Sequence, residues 1–321
     1  MPSTNLPGTN LPHTLVILGT GGTIAGTATD ASDNVGYTAG QQSLADLLAA
    51  VPGLAGLPIE SEQVAQIDSK DMDMATWQAL AQRVAAHLAR PEVLGLVITH
   101  GTDTLEETAW LLQRVLAPAK PVVLVAAMRP ATALMADGPQ NLLDALAVLR
   151  TPGAQGVLAV LAGRVHAAGR VRKVHTYRLD AFDSGDAGPL GRVEEGVLRR
   201  FQPWPDSGQA LGLALLDAPA ADWPWVEIVH SHAGAGPRAI SALLTAGVQG
   251  LVLAATGNGT LHQALQPALD QAAAAGVPVW RCTRCATGVL VGSDTGPAAA
   301  MSPWQARVEL MLKLLATPAA V

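Results

Sequence analysis

Two cysteines, two tyrosines and two phenylalanines are few for a chain of 321 residues. The cysteines stand together as Cys282-x-x-Cys285, so no disulfide framework is on offer, and a zinc site lacks the second ligand pair it normally needs. Two reduced thiols beside a strand are favoured over a thioredoxin-like redox pair. Charge is sparse as well. Only 14% of residues are charged, and 20 basic against 26 acidic leaves a net −6. Nucleic acid and anionic membrane surfaces both reward clustered Lys and Arg, so neither is an expected partner. No stretch approaches the roughly 20 apolar residues that cross a bilayer. Residues 1–13 carry Pro, Asn, Thr and Gly without a basic leader or a long apolar core, so they do not read as a secretory signal. The expected compartment is the cytoplasm.

Aliphatic residues fill the space these absences leave. Hydrophobic residues make up 49% of the chain, which suits a large buried core and hints at a subunit that hides surface in an oligomer. Short apolar runs alternate with longer Ala/Leu-rich stretches, the pattern of a parallel α/β sheet. Strands are expected at 15–18, 95–99, 122–127 and 156–161, and helices at 42–50, 74–89, 105–116 and 140–149. The strands are continuous apolar runs, as helices on both faces require. Trp77, Leu80, Val84 and Leu88 recur at helical spacing. A Gly- and Pro-rich stretch follows, and the rhythm resumes with strands at 226–229, 250–255 and 277–281 and helices at 237–246, 261–275 and 303–316. The expected fold is α/β with two unequal α/β domains. The larger N-terminal one, 1–188, has a mostly parallel doubly wound sheet. Residues 189–223 form a linker, and 224–321 a smaller parallel sheet with helices on both faces.

Two polar blocks interrupt the aliphatic background at strand ends. Gly19-Thr-Gly-Gly-Thr-Ile-Ala-Gly26 follows the first strand. A dinucleotide loop needs glycine where Ile24 stands, and a phosphate loop needs lysine where Thr27 stands. What remains is either a tight turn of small residues or a turn presenting Thr20 and Thr23 at the carboxyl edge of the sheet, where open α/β folds bind ligands. Residues 27–40, small and polar around Tyr37, suit a flap whose phenol meets a threonine hydroxyl, or an ordinary surface loop. The second block, His100-Gly-Thr-Asp-Thr104, ends a buried strand before a helix. Capping by Thr102 or Thr104 accounts for one hydroxyl but not for the block. Asp103 beside Thr102 is informative because threonine is a poor nucleophile that needs a positioned base.

With these motifs the sequence resembles the bacterial-type L-asparaginase family, which includes the glutaminase-asparaginases. Ile17-x-x-Thr-Gly-Gly-Thr-Ile-Ala25 and Gly95-x-Val-x-x-His-Gly-Thr-Asp-Thr-Leu105 carry the likeness. Ile67-Asp-Ser-Lys-Asp-Met72, Ala127-Met-Arg-Pro130, Ala136-Asp-Gly-Pro139 and Gly257-Asn-Gly259 extend it along the chain. The resemblance implies hydrolysis of the side-chain amide of L-asparagine through a threonine acyl-enzyme, with no metal or organic cofactor, in a homotetramer built as a dimer of dimers. It implies Thr23 as nucleophile, Tyr37 as its flap partner, and Thr102, Asp103 and Lys173 as a hydrogen-bonded triad. Lys173 read alone belongs to a solvated basic run with Arg170 and Arg172. Substrate contacts are implied for Gly22, Ser69, Lys70, Thr102, Asp103, Ala127 and Asn258, the last reaching a neighbouring subunit's site.

Two departures stand out. Lys70 occupies a position where secreted members carry Gln. Between Cys282 and Trp304 there is no glutamate to meet a neighbour's substrate amine, and Asp294 is the only acid. Alternative readings are a glutaminase-asparaginase, an ammonia-producing amidotransferase-type subunit, and a non-catalytic amino-acid-binding protein on the same scaffold.

Overall fold

A computed structural model describes residues 14–206, 208–292 and 295–317, so the segment 1–13 and Asp294 lie outside the described residues. The chain lays down β1 (Thr14–Gly21), α1 (Leu44–Ala49), β2 (Ile59–Ile67), α2 (Met74–Leu88), β3 (Val93–Thr99), α3 (Leu105–Leu116), β4 (Pro121–Val125), α4 (Gly138–Leu149) and β5 (Gly156–Leu161). These strands pair in parallel in the order β2-β1-β3-β4-β5. The winding is double because residues alternate along each strand. Leu15 and Ile17 pack with Leu44, Leu47 and Leu142 on the α1 and α4 side. Val16 and Leu18 pack with Trp77, Leu80 and Leu112 on the α2 and α3 side. Covered on both faces, β1 needs apolar residues at both parities, hence its unbroken Leu-Val-Ile-Leu run.

The apolar-run criterion misses β2. Its Ile-Glu-Ser-Glu-Gln-Val-Ala-Gln-Ile sequence is an edge strand with much of its side-chain surface in solvent, so no continuous apolar run marks it. The stretch read as linker also holds regular structure. After β6 (Arg164–Ala167) and a short ribbon of β7 (Arg172–Lys173) with β8 (Phe182–Asp183), the hairpin β9 (Gly191–Glu194) and β10 (Val197–Arg200) extends the sheet antiparallel beyond β5. Only Val193 of that hairpin contributes a buried apolar side chain, too little for a strand signal in sequence.

The second sheet holds β11 (Val226–His230), β12 (Gly250–Ala255) and β13 (Val279–Thr283), all parallel and in sequence order. Helices α5 (Arg238–Thr245) and α6 (Gln266–Ala274) cover one face through Ile240, Ala268 and Ala272. Helix α7 (Pro303–Ala316) covers the other and packs on α3, so Val252, Leu310 and Met311 share one core with Leu112. A bidentate ion pair from Arg114 to Glu309, at 2.7 and 2.9 Å, staples the two helices. Ser302 and Gln305 close a capping box at the start of α7. Among the described residues no helix is long and apolar enough to cross a membrane.

Candidate active site

In the order β2-β1-β3-β4-β5 the winding reverses between β1 and β3. The loops leaving those two strands therefore part to opposite faces and open a crevice at the carboxyl edge. Gly19 lies opposite Thr99 in the register, and the Thr20 hydroxyl donates to the Thr99 carbonyl at 2.9 Å, tying the two strand ends together. Beyond that tie the turns interlock. Gly22 has φ +82°, and a Cβ there would lie 2.4 Å from the Cα of Gly101. A Cβ on Gly101 would lie 2.3 Å from the Ser69 hydroxyl. Glycine at 22 lets the two threonine turns close to backbone contact, and glycine at 101 lets Ser69 pack under the second of them.

One cleft of about 230 Å³ results, lined among others by Thr23, Tyr37, Thr102, Asp103, Ala127 and Lys173. Thr23 is buried, and its hydroxyl lies 2.7 Å from the Tyr37 hydroxyl. Tyr37 arrives on a loop folded back on itself by paired hydrogen bonds between Thr27 and Thr38. The Lys173 ammonium donates to the Thr102 hydroxyl at 2.8 Å and to the Asp103 carboxylate at 2.5 Å. Asp103 is half exposed, so water screens this ion pair, and its value lies in orientation more than in stability. Lys173 thus leaves the solvated basic run that its neighbours suggest.

The capping alternative does not hold. Thr104 precedes α3 but makes no side-chain cap; its hydroxyl donates to the Ser69 carbonyl at 2.8 Å. The Ser69 hydroxyl in turn accepts from the Asp103 amide at 3.1 Å. His100, fully buried, spans Gly101 O at 2.7 Å and Thr108 Oγ1 at 2.9 Å, and the Trp77 indole donates to the same Thr108 oxygen. Burial pushes His100 down to about 4, so a neutral imidazole braces the turn. Asp137 braces the opposite wall, accepting from the Met128 and Arg129 amides beside Ala127.

Four other expected residues are not among those lining this cleft, although Gly22 and Ser69 adjoin it. Ser69 is buried beneath the Asp103 turn, and Gly22 forms the floor contact. Lys70 faces Asp68 and Asp71 and is largely exposed. Asn258, in the turn after β12, closes both ends of its amide on the Val291 backbone at 2.7 Å and is exposed. Cys282 is buried with its thiol pushed up to about 12, whereas Cys285 is exposed. The structure also adds lining residues that motif reading passes over: Asn34 and Val35 on the Tyr37 loop, and Thr176 and Tyr177 after β7. Arg129 stacks over the Tyr177 ring at 4.1 Å and donates to its carbonyl. The one available signal for Tyr177 was its rarity, since the chain has just two tyrosines.

Fold and site together define a two-sheet α/β protein with a small cleft of hydroxyl, amine and carboxylate groups at its switch point. The chain belongs to the asparaginase family: residues 14–205 match the model described as Asparaginase, N-terminal, and residues 225–319 match the Glutaminase/Asparaginase C-terminal domain. It is 35% identical over 319 residues to L-asparaginase 2 of Bacillus subtilis (strain 168), covering 96% of this chain and 84% of that protein. It is 36% identical over 323 residues to L-asparaginase 2 of Escherichia coli (strain K12), covering 96% and 90%. The crystal structure of a probable cytoplasmic L-asparaginase from Campylobacter jejuni superposes with a TM-score of 0.88 at 36% identity, covering 94% of this chain and 95% of that one.

Proposed function

We propose that the protein is an L-asparaginase, hydrolysing the side-chain amide of L-asparagine to L-aspartate and ammonia. The observation that carries this reading is the convergence of Thr23–Tyr37 and Thr102–Lys173–Asp103 on one cleft. In the proposed reaction Thr23 Oγ1 attacks the amide carbon as its proton passes to the Tyr37 oxygen and Tyr37 releases its own proton to water. Lys173 and Thr102 relay a proton to the departing nitrogen, and ammonia leaves an acyl-enzyme ester. Backbone N–H groups of the two threonine turns face the developing oxyanion. Water then enters with Thr102 and Lys173 taking its proton, the ester breaks, and aspartate departs as a proton returns through the Tyr37 hydroxyl to Thr23. Neither step calls for a metal or an organic cofactor. Asp103 holds the substrate α-amino group, Ser69 and Gly22 serve the α-carboxylate end, and the Ala127 carbonyl meets the amide nitrogen. Lys70 and Asn258 are kept as outer contacts, Asn258 toward a neighbouring subunit in a homotetramer.

The cleft suits a free amino acid rather than a nucleic acid or membrane partner. We read the two sheets as two domains, 1–188 and 224–321, with 189–223 passing between them and lending its hairpin to the larger sheet. The proposed compartment is the cytoplasm, in keeping with the name given to the Campylobacter jejuni structure. An ammonia assay with L-asparagine, L-glutamine and D-asparagine tests the reaction: L-asparagine should be the best substrate. Equal or greater release from L-glutamine would give the reading to a glutaminase. Tight aspartate binding without ammonia release would give it to a binding protein. Gel filtration should return a mass of four chains, unchanged by tRNA, and cell fractionation should recover the protein with cytoplasmic markers.

A further inference from the structure

The second residue of α3, Glu106, is a carboxylic acid almost out of water, 6% exposed. Burying a carboxylate is costly unless its oxygens are paired, so its partners are informative. One oxygen accepts the backbone N–H of Lys173 at 3.4 Å, and the other accepts the Ser302 hydroxyl at 3.1 Å. Ser302 is the cap of α7, the helix that joins the second sheet to the first, and is itself fixed by the Gln305 amide at 3.1 Å. The Gln305 side chain donates to the Ala168 carbonyl at 3.1 Å, just ahead of β7. Arg172, the neighbour of Lys173, donates to the Ala286 carbonyl at 2.9 Å.

These bonds give Lys173 a two-point fixation from a single helix start. Thr102 and Asp103 hold its ammonium, and Glu106, three and four positions further on, holds its backbone. A two-residue strand such as β7 has little pairing of its own to set its position. We infer that Glu106 is a positioning residue for the amide hydrolysis: it places Lys173 against Thr102 and makes that placement depend on the docking of α7 through Ser302. The inference rests on the asparaginase reading and concerns the proton relay within it.

Geometry, not charge, is what the bridge requires. Burial pushes the Glu106 carboxyl up to about 7, with Glu107 adding to the rise and Arg172 opposing it. The ionised form accepts from Ser302, and the acid form donates to the same oxygen while still accepting from Lys173 N–H. A glutamine can do what the acid form does, whereas an aspartate falls one methylene short of both partners.

The test is steady-state ammonia release at pH 8 by wild type, Glu106→Gln and Glu106→Asp, with thermal unfolding measured on the same samples. Glu106→Gln should keep kcat within about threefold. Glu106→Asp should lose about 10- to 100-fold in kcat, the scale of a misplacement near 1 Å, with KM within about threefold. Ser302→Ala serves as the second probe if Glu106→Asp does not fold, and should lower kcat by about fivefold at unchanged KM. The inference is overturned if Glu106→Asp, or Ser302→Ala in its place, turns over like wild type. It is equally overturned if Glu106→Gln is as slow as Glu106→Asp, or if KM rises in step with the fall in kcat. Absence of ammonia release by wild type would instead count against the asparaginase reading itself.

Discussion

Of the two main sheets among the described residues, one mostly parallel and one wholly parallel, the first carries at its carboxyl edge the cleft that gathers Thr23, Tyr37, Thr102, Asp103 and Lys173. In the smaller sheet the order β11-β12-β13 follows the sequence, so the connections progress in one direction and no pair of adjacent loops parts. In the larger sheet the winding reverses between β1 and β3, and the loops after those strands carry Thr23 and Thr102. The polar residues at the strand ends of the smaller sheet are spent on local ties. Ser231 accepts the His262 amide at 3.1 Å, and the Thr283 hydroxyl donates to Gly257 O at 2.8 Å. Reversal of winding, more than the presence of hydroxyls at strand ends, separates a site from a scaffold.

The sharpest way to break that comparison is to remove the hydroxyls. Thr23→Ala and Thr102→Val should each lower kcat by about a thousandfold or more while the protein stays folded, as steady-state ammonia release and circular dichroism will show. Wild-type turnover in either variant would remove the switch point from the chemistry. Next in size is Gly101→Ala. Its methyl group would sit 2.3 Å from the Ser69 hydroxyl, forcing the Thr102 turn off the Ser69 segment. A fall of about a hundredfold in kcat is expected, together with a loss of about 1–3 kcal/mol in urea unfolding.

Stability against pH distinguishes buried groups of opposite sign. Burial lowers His100 and His166 from 6.5 to about 4, so the unfolded chain binds protons that the folded one refuses. Their contribution is present above pH 6.5 and lost as pH falls toward 4, by up to about 3 kcal/mol each. Glu106 works the other way: with its folded value raised from 4.5 to about 7, its contribution is present below pH 4.5 and lost as pH rises through 7. Burial raises Glu107, Asp137 and Asp144 as well, so the variant isolates Glu106: in urea titrations from pH 4 to 8, stability should gain more with rising pH in Glu106→Gln than in wild type. A shallower slope in that variant would contradict the assignment. The smallest effect is reserved for the other sheet: Ser231→Ala should cost about 1 kcal/mol and leave kcat unchanged. A large activity loss there would erase the distinction between the sheets.

How much of this could be read from sequence depends on what burial does to residue choice. Strands β1, β3, β4 and β5 announce themselves because helices on both faces demand apolar residues at every position. The edge strand β2 and the hairpin β9–β10 do not, since solvent permits Glu, Gln and Arg along them. Thr23, Thr102 and Asp103 were legible as polar residues where an apolar run stops. Lys173 was not legible from pattern alone, because Arg170 and Arg172 disguise it as surface, and only family resemblance drew it in. Asn34, Val35, Thr176 and Tyr177 line the cleft from irregular loops, where neither periodicity nor spacing constrains the residue type. Ser69 is legible from family resemblance alone, and the bond it accepts from the Asp103 amide could not be read from pattern.

The most direct measurement is a crystal structure of the protein grown with L-aspartate, the expected product. The account predicts the side-chain carboxyl carbon within about 3–3.5 Å of Thr23 Oγ1, with Thr102 on its other side. Aspartate bound elsewhere, or oriented so that those hydroxyls touch only its α-groups, would contradict it.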